Sequence, residues 1–163
     1  MIFHQNETNK LLNLVNISNA IVGRKKFQKI VYILQCEGVS FHKKFKYYYY
    51  GPFSPSLQLE IDELVDRKIL IEKMDTSYSY ELNPQTEFES NREMEEKKEL
   101  ILFLNKQETR ILELISTIYF LHNEGWEEQR YIKKKIETLK PHLSSLIDES
   151  FDIKKEIEEI TTK

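Results

Sequence analysis

Residues 23–70 constrain the fold of this chain more than any other stretch of its sequence. Two amphipathic helical patterns are joined there by a run of four tyrosines and a Gly-Pro turn. In the first pattern, apolar side chains recur at the three- and four-residue spacing of a core-facing helix; they are Phe27, Ile30, Val31 and Leu34. The order of helix, aromatic strand, turn and helix indicates half of a winged helix, a fold that binds nucleic acid or proteins.

The apolar pattern predicts the elements that precede residue 84. Helices are expected at about residues 7–22, 25–37 and 55–68, and the tyrosine run predicts a strand at 45–50 that Gly51 and Pro52 break. Apolar runs at 69–73 and 78–82 flank a polar turn and predict a β-hairpin, the wing of the fold. Alternation along the tyrosine strand sends two of its tyrosines toward the core and two outward.

The remainder of the chain indicates helices. Residues 84–94 are polar and lack periodicity, which predicts a linker. Helical patterns follow at about residues 95–105, 107–123, 126–139 and 151–160. We therefore predict a mainly α protein with a small β component: a winged-helix-like domain at 1–83, a linker at 84–94 and a helical bundle domain at 95–163.

Charge is distributed unevenly along the chain. The first 50 residues contain eight Lys and Arg against two Glu, whereas the rest contains 16 basic and 25 acidic residues. A positive end of this kind suits phosphate or an acidic partner, and the acidic remainder disfavours a broad wrap around DNA. The helix at 55–68 also carries carboxylates that would repel phosphates if it entered a DNA groove.

Basic and aromatic side chains between residues 24 and 50 form the predicted binding surface. The candidate contacts with a partner or with nucleic acid are Arg24, Lys25, Lys26, Lys29, Lys43, Lys44, Lys46, Tyr48 and Tyr50. The acidic third helix and the outward tyrosines favour a non-enzymatic protein-interaction module with a protein partner. The alternative is a DNA-binding transcriptional regulator that uses the basic N-terminal face, and apolar residues exposed on the helical domain would indicate a homodimer.

Motifs for catalysis or cofactor binding are absent from the sequence. The four histidines have no metal-ligand spacing, the four glycines stand singly rather than in a phosphate-binding loop, and Cys36 has no obvious base partner. These features predict no metal, no cofactor and no enzyme activity; a site assembled from scattered residues is the enzymatic alternative. No apolar run reaches the roughly 20 residues of a membrane span and no signal peptide opens the chain, which predicts a cytoplasmic protein without membrane contact.

One combination of motifs resembles a known family. A Lys-x-Gln-Lys motif in the second helix precedes a Tyr-Gly-Pro turn; the matching residues are Lys26, Gln28, Lys29, Tyr32, Tyr50, Gly51, Pro52, Ser54 and Leu57. Over about residues 23–82 the chain resembles the YwgA-like family and, more distantly, the Panacea domain of SocA-like antitoxins. The Panacea resemblance implies toxin neutralisation or protein contacts in antiviral defence. The motifs themselves look like a structural signature in which Gln28 and Lys29 brace Tyr50 and the turn.

Overall fold

A computed structural model describes residues 2–4 and 6–163. The protein is mainly helical with a small β component, as the sequence predicts. The helices are α1 (Glu7–Ser18), α2 (Arg24–Cys36), α3 (Pro55–Asp66), α4 (Arg92–Glu96), α5 (Lys98–Asn105), α6 (Thr109–Asn123), α7 (Gln129–Leu139) and α8 (Ile147–Thr161), with a 3-10 helix at Pro141–Leu146. The strands are β1 (Ile2–Phe3), β2 (Ile21–Val22), β3 (Lys46–Tyr48), β4 (Gly51–Phe53), β5 (Leu70–Met74), β6 (Tyr78–Leu82) and β7 (Glu87–Phe88).

Strands β2, β6 and β5 form an antiparallel sheet in that order. The predicted hairpin is confirmed, because β5 pairs with β6 along its whole length. The first helix, however, is shorter than predicted: it ends at Ser18, and Asn19 takes a φ of +67°. Asparagine tolerates this left-handed conformation, which turns the chain so that β2 can pair with β6 instead of continuing the helix.

The tyrosine run forms a hairpin rather than the single strand predicted for residues 45–50. Strand β3 ends at Tyr48, Tyr49 and Tyr50 make the turn, and β4 begins at Gly51 and pairs antiparallel with β3. The Gly-Pro pair thus begins a strand instead of breaking one. A two-stranded ribbon tolerates proline at an unpaired N–H position, and the φ of +90° at Gly51 accommodates the tight turn.

The main hydrophobic core lies between the N-terminal elements and the later helices. Buried side chains of α1, α2 and α3 pack in one cluster with those of α5 and α6, and Ile157 of α8 joins them. A second, smaller cluster holds α6, α7 and α8 together around Ile118, Ile132 and Ile136. Helix α6 belongs to both clusters and is the central element on which the hairpin and α7 rest.

Residues 84–94 are fixed to the first helix, although their sequence predicts a linker. Strand β7 pairs in parallel with β1, and the buried side chain of Asn13 donates to the carbonyl oxygen of Glu89 at 3.0 Å. Asn13 also accepts a hydrogen bond from the backbone N–H of Asn91 at 3.1 Å. Both sides of this segment contribute to the main core. Two units docked face to face would also share such a core, so the division at 84–94 stays a prediction.

None of the helices in 2–4 and 6–163 is both long enough and apolar enough to cross a bilayer.

Candidate interaction site at the tyrosine hairpin

Two polar side chains of α2 are buried in the core and hold the hairpin. The side-chain amide of Gln28 donates to the carbonyl oxygen of Ser54 at 3.0 Å and accepts from the Ser54 N–H at 2.9 Å. The ammonium group of Lys29 donates to the carbonyl oxygen of Pro52 at 2.7 Å. The predicted brace is therefore confirmed for the strand that follows the turn, and both side chains are about 1% exposed. Tyr50 is not part of this brace.

A second glutamine of α2 repeats the arrangement at the other end of the connection. Gln35 lies seven residues, or about two helical turns, after Gln28 and therefore on the same face of the helix. Its side chain donates to the carbonyl oxygen of Lys43 at 2.8 Å and accepts from the Lys43 N–H at 3.2 Å. The two glutamines thus hold the segment that contains the hairpin at both of its ends.

A buried ion cluster lies beneath the hairpin. Glu113 in α6 is 4% exposed, and its Oε2 lies 2.8 Å from the Nζ atom of Lys140, which is 1% exposed. The contact is an ion pair whose angles fall outside hydrogen-bond geometry. Lys140 also donates to the carbonyl oxygen of Tyr49 at 3.2 Å and lies near the Tyr47 ring. The hairpin is therefore held by two buried lysines, Lys29 on α2 and Lys140 after α7.

Glu113 and Lys140 are not among the functional residues that the sequence predicted. A signal for Glu113 was present: the residues around it in α6 are apolar on both faces of the helix, which places a carboxylate at that position inside the protein. No comparable signal marks Lys140, because it lies between a helix end and a proline, where exposed lysines are common. Its burial follows from the packing of α7 against α6.

Burial lowers the pKa of Lys29 to about 7. Desolvation of the ammonium group is the largest cause. The Glu113 carboxylate acts in the opposite direction, and the positive charges of Lys140 and Lys25 lower the pKa further. Lys29 therefore titrates near neutral pH.

Gly51 closes the hairpin against α6. Its φ of +90° lies in the region that side chains disfavour, and a Cβ atom added there would lie 3.2 Å from Oγ1 of Thr117. That distance is shorter than an ordinary van der Waals contact. The glycine of the Tyr-Gly-Pro motif is therefore required both by the turn and by the close approach of α6.

Three of the predicted basic contacts are engaged within the protein. Lys26 donates to the carbonyl oxygen of Asn105 at 2.8 Å, and Lys43 forms an ion pair of 2.5 Å with Glu60. Lys29 is buried as described above. These three side chains stabilise the fold and do not form part of an open basic face.

The other predicted basic contacts lie on the surface. The Arg24 guanidinium stacks 4.0 Å from the centre of the Tyr78 ring and also approaches Glu72 at 3.8 Å. Lys25 lies with its Nζ 3.3 Å above the Tyr50 ring. Lys44 and Lys46 are exposed, and within residues 2–4 and 6–163 neither has an ion pair. Lys25 thus contacts the tyrosine hairpin and Arg24 contacts the β5–β6 hairpin, while Lys44 and Lys46 are the other exposed members of the predicted basic set.

The turn of the hairpin displays aromatic side chains to solvent. Tyr49 is 96% exposed, and Tyr48 and Tyr50 are about half exposed. Only Tyr47 packs inward, with its ring 5.3 Å from that of Phe120, whereas the sequence predicted two inward tyrosines. The two-residue turn is the reason, because it takes Tyr49 and Tyr50 out of the alternation of the strand.

Leu139 lies beside the tyrosines and is also exposed. Tyr48, Tyr49 and Leu139 are called the aromatic tip below.

A pocket with a volume of about 290 Å³ lies on the other side of the hairpin, between it and the start of α2. It is lined by Arg24, Lys25, Gln28, Lys29, Tyr48, Tyr50, Gly51, Phe53 and Gln58. Its walls are mostly apolar, and the lining includes every residue of the Gln-Lys and Tyr-Gly parts of the two motifs. This cavity is called the hairpin pocket below.

Comparison with known proteins identifies a relative along most of the chain. The uncharacterized protein YwgA of Bacillus subtilis (strain 168) is 33% identical over 139 residues, which cover 80% of this chain and 82% of that protein. The chain belongs to the YwgA family. Membership confirms the predicted resemblance to the YwgA-like family, and the more distant resemblance to the Panacea domain stays a prediction. In this YwgA-family protein the Lys-x-Gln-Lys and Tyr-Gly-Pro motifs form the brace and the turn of the hairpin. No family model matches the chain. No solved structure matches it either.

Across residues 2–4 and 6–163, no three His, Cys, Asp or Glu side chains are grouped so that they could hold a metal ion. The buried charges beneath the hairpin consist of one carboxylate and two lysines, a donor set that suits no common cation. What this cluster can do is hold backbone carbonyls and fix the hairpin.

Proposed function

We propose that this YwgA-family protein is a non-enzymatic protein-interaction module that docks on a protein partner through the aromatic tip. The observation that carries the proposal is the 96% exposure of Tyr49 at the end of a hairpin fixed by buried lysines. Burying charged groups costs free energy, so a hairpin held in this way favours a role that needs a rigid surface. Tyrosine is enriched at the centres of protein interfaces because it is large, rigid and amphipathic.

The topology supports a winged-helix architecture for the N-terminal part. Its elements follow the order α1, β2, α2, α3, β5 and β6, and the three strands form a sheet in the order β2-β6-β5. The β3–β4 hairpin is inserted between α2 and α3, next to the helix that reads DNA in many winged helices. We propose that in this protein the inserted hairpin has the recognition role.

The charges on the surface favour a protein over DNA as the partner. A DNA-binding protein commonly makes 6–10 phosphate contacts. Of the seven predicted basic contacts, Lys26, Lys29 and Lys43 are tied to internal partners. Helix α3 exposes Asp62, Glu63 and Asp66 on the side where a recognition helix would face DNA. The DNA-binding regulator that uses the basic N-terminal face is the alternative, and it would rely on the exposed members of that face, which are Arg24, Lys25, Lys44 and Lys46.

The distant resemblance to the Panacea domain indicates the class of partner. We propose a toxin-like protein or a subunit of a defence complex, in which this protein is the antitoxin-like component. Such a partner would be neutralised or recruited by contact alone, which requires no catalytic group in this chain.

The test is affinity capture of the tagged full-length protein from the organism that encodes it, after nuclease treatment and at low and high salt. We expect one protein in near-stoichiometric amount that survives both treatments and is lost in the double variant Tyr48→Ser, Tyr49→Ser. The variant Tyr131→Ser is the control, because Tyr131 is also about half exposed but lies near the start of α7.

Two results would contradict the proposed function. If the double variant retains the protein partner, the aromatic tip is not the docking surface. If only nucleic acid is recovered and is lost at high salt, the DNA-binding alternative takes its place, with a salt dependence that decreases by about one unit of slope for each contacting lysine removed.

A further inference from the structure

We infer that the hairpin pocket binds a single apolar side chain, preferentially aromatic, from an acidic segment of the protein partner. The inference rests on the proposed function and extends it, because it names the chemistry of the segment that the protein recognises. The aromatic tip supplies contact area beside the pocket, and the pocket supplies the anchor point.

The charge of the pocket favours an anionic segment. Among the described residues that line it, Arg24 and Lys25 are exposed cations, Lys29 is buried on the carbonyl oxygen of Pro52, and none is acidic. The Arg24 guanidinium is about half exposed, and its contact with Glu72 is long at 3.8 Å. Its N–H groups can therefore donate to a second carboxylate. Lys25 is exposed over the Tyr50 ring and keeps its donors available at the rim.

The walls of the pocket favour an aromatic or aliphatic side chain over a phosphate. Tyr48, Tyr50 and Phe53 provide the aromatic surface, with Tyr48 and Phe53 packed edge to face at 5.7 Å. A phosphate placed between these rings would lose its hydration without gaining enough donors. An aromatic ring can pack against the same walls at no such cost and adds edge-to-face contacts.

The size of the pocket favours one side chain over a whole ligand. Its volume of about 290 Å³ lies at the lower limit of the roughly 300–1,000 Å³ found for small-molecule sites. A peptide that inserts one anchor and lays its flanking carboxylates on Lys25 and Arg24 satisfies both the volume and the charge. Gln58 of α3 lines the pocket, and its side-chain amide donates to the carboxylate of Asp62 at 3.0 Å.

The experiment uses three synthetic peptides and the ¹⁵N-labelled full-length protein. The first peptide has a central phenylalanine flanked on both sides by aspartates, the second has serine in place of phenylalanine, and the third has asparagines in place of the aspartates. We expect the first peptide to shift the amide resonances of Gly51 and Phe53 with a Kd below about 1 mM. The other two peptides should bind at least tenfold more weakly.

A substitution of unchanged size tests the site itself. Gln58→Glu places a carboxylate in the pocket and should weaken binding of the first peptide at least tenfold. Gln129→Glu adds the same charge at the exposed start of α7 and should leave it unchanged. Absence of shifts at about 1 mM peptide, equal binding of the serine peptide, or unchanged binding to Gln58→Glu would overturn the inference. Preference for a single-stranded oligonucleotide over the first peptide would overturn it as well.

The affinity capture separates this inference from the proposed function. If Tyr48→Ser, Tyr49→Ser loses the partner while Gln58→Glu retains it, the protein is an interaction module but the pocket is not its anchor site. If both variants retain the partner, the proposed function itself is wrong. If both variants lose the partner and Gln129→Glu retains it, the result supports the proposed function and the anchor role of the pocket.

Discussion

The side chain of Gln28 and the backbone of Ser54 exchange two hydrogen bonds, of 3.0 and 2.9 Å, across 26 residues of chain. A primary amide is the side chain that can satisfy a backbone N–H and a backbone carbonyl together. Ser54 also caps α3, where its hydroxyl accepts from the N–H of Leu57. Gln28 therefore fixes both the end of the tyrosine hairpin and the start of the next helix.

The substitution Gln28→Ala should lower the free energy of unfolding by about 1–3 kcal/mol, because it leaves the buried N–H of Ser54 without a partner, whereas the Ser54 carbonyl keeps the N–H of Gln58 as a donor. Urea denaturation of the purified protein measures this loss. Gln35→Ala removes the matching pair of bonds to Lys43 at a site that is only part-buried, where water can replace them. We expect a clearly smaller loss for Gln35→Ala, and equal losses would show that burial does not determine the effect.

Glu113→Gln should destabilise the protein by about 3–5 kcal/mol, because Lys140 would then be buried without its carboxylate. The double variant Glu113→Gln, Lys140→Met should recover most of the loss, since it removes the unpaired ammonium group. A thermodynamic cycle from chemical denaturation gives the coupling between the two residues. The exposed pair Arg92–Glu96 is the control, and Glu96→Gln should have little effect. If the losses of stability in Glu113→Gln and Lys140→Met add up in the double variant, the two residues are not coupled, which would contradict the buried ion pair.

Gly51→Ala should be destabilising by about 1–3 kcal/mol, because its φ of +90° is unfavourable for alanine and the new Cβ would crowd Thr117. Gly38→Ala is the matched control: its φ is +99°, but nothing lies within 4 Å of an added Cβ. The difference between the two melting temperatures isolates the contact with α6. A Gly38→Ala variant as unstable as Gly51→Ala would show that backbone strain alone is responsible.

The stability of the protein should increase with pH above about 7, because the pKa of Lys29 falls from 10.5 to about 7 on folding. In this range the unfolded chain holds a proton that the folded chain has lost, so rising pH favours the folded state by at most about 1.4 kcal/mol per pH unit. This increase is expected up to about pH 9. At higher pH the Cys36 thiol ionises in the unfolded chain, whereas burial raises its pKa in the folded protein, so a further rise in pH favours the unfolded state. Lys29→Met should lack this increase. Parallel pH profiles for the two proteins would refute the assignment.

Local sequence patterns were sufficient to predict most of the helices and strands. The apolar stripe of α2, the hairpin of β5 and β6, and the single glycines at element ends follow from side-chain periodicity and turn chemistry. The brace by Gln28 and Lys29 was predicted from the Lys-x-Gln-Lys and Tyr-Gly-Pro motifs, whereas the burial of Lys29 was not, because the sequence placed it with the basic contacts of a binding surface. The end of α1 at Ser18 was not predictable, since its last apolar residues leave the helix to pair with a strand that comes more than 50 residues later.

The sequence by itself determined the helical character of this YwgA-family protein and the β5–β6 hairpin, because both depend on side-chain periodicity and turn residues within a few positions. Only the tertiary structure decided which charges are available. Lys29, Lys43 and Lys140 look alike in the sequence, yet one is buried under the hairpin, one is paired with Glu60, and one is buried on Glu113. The physical reason is that the solvation and pairing of a charge depend on residues brought close by packing, and those residues lie 17 to 91 positions away in the chain.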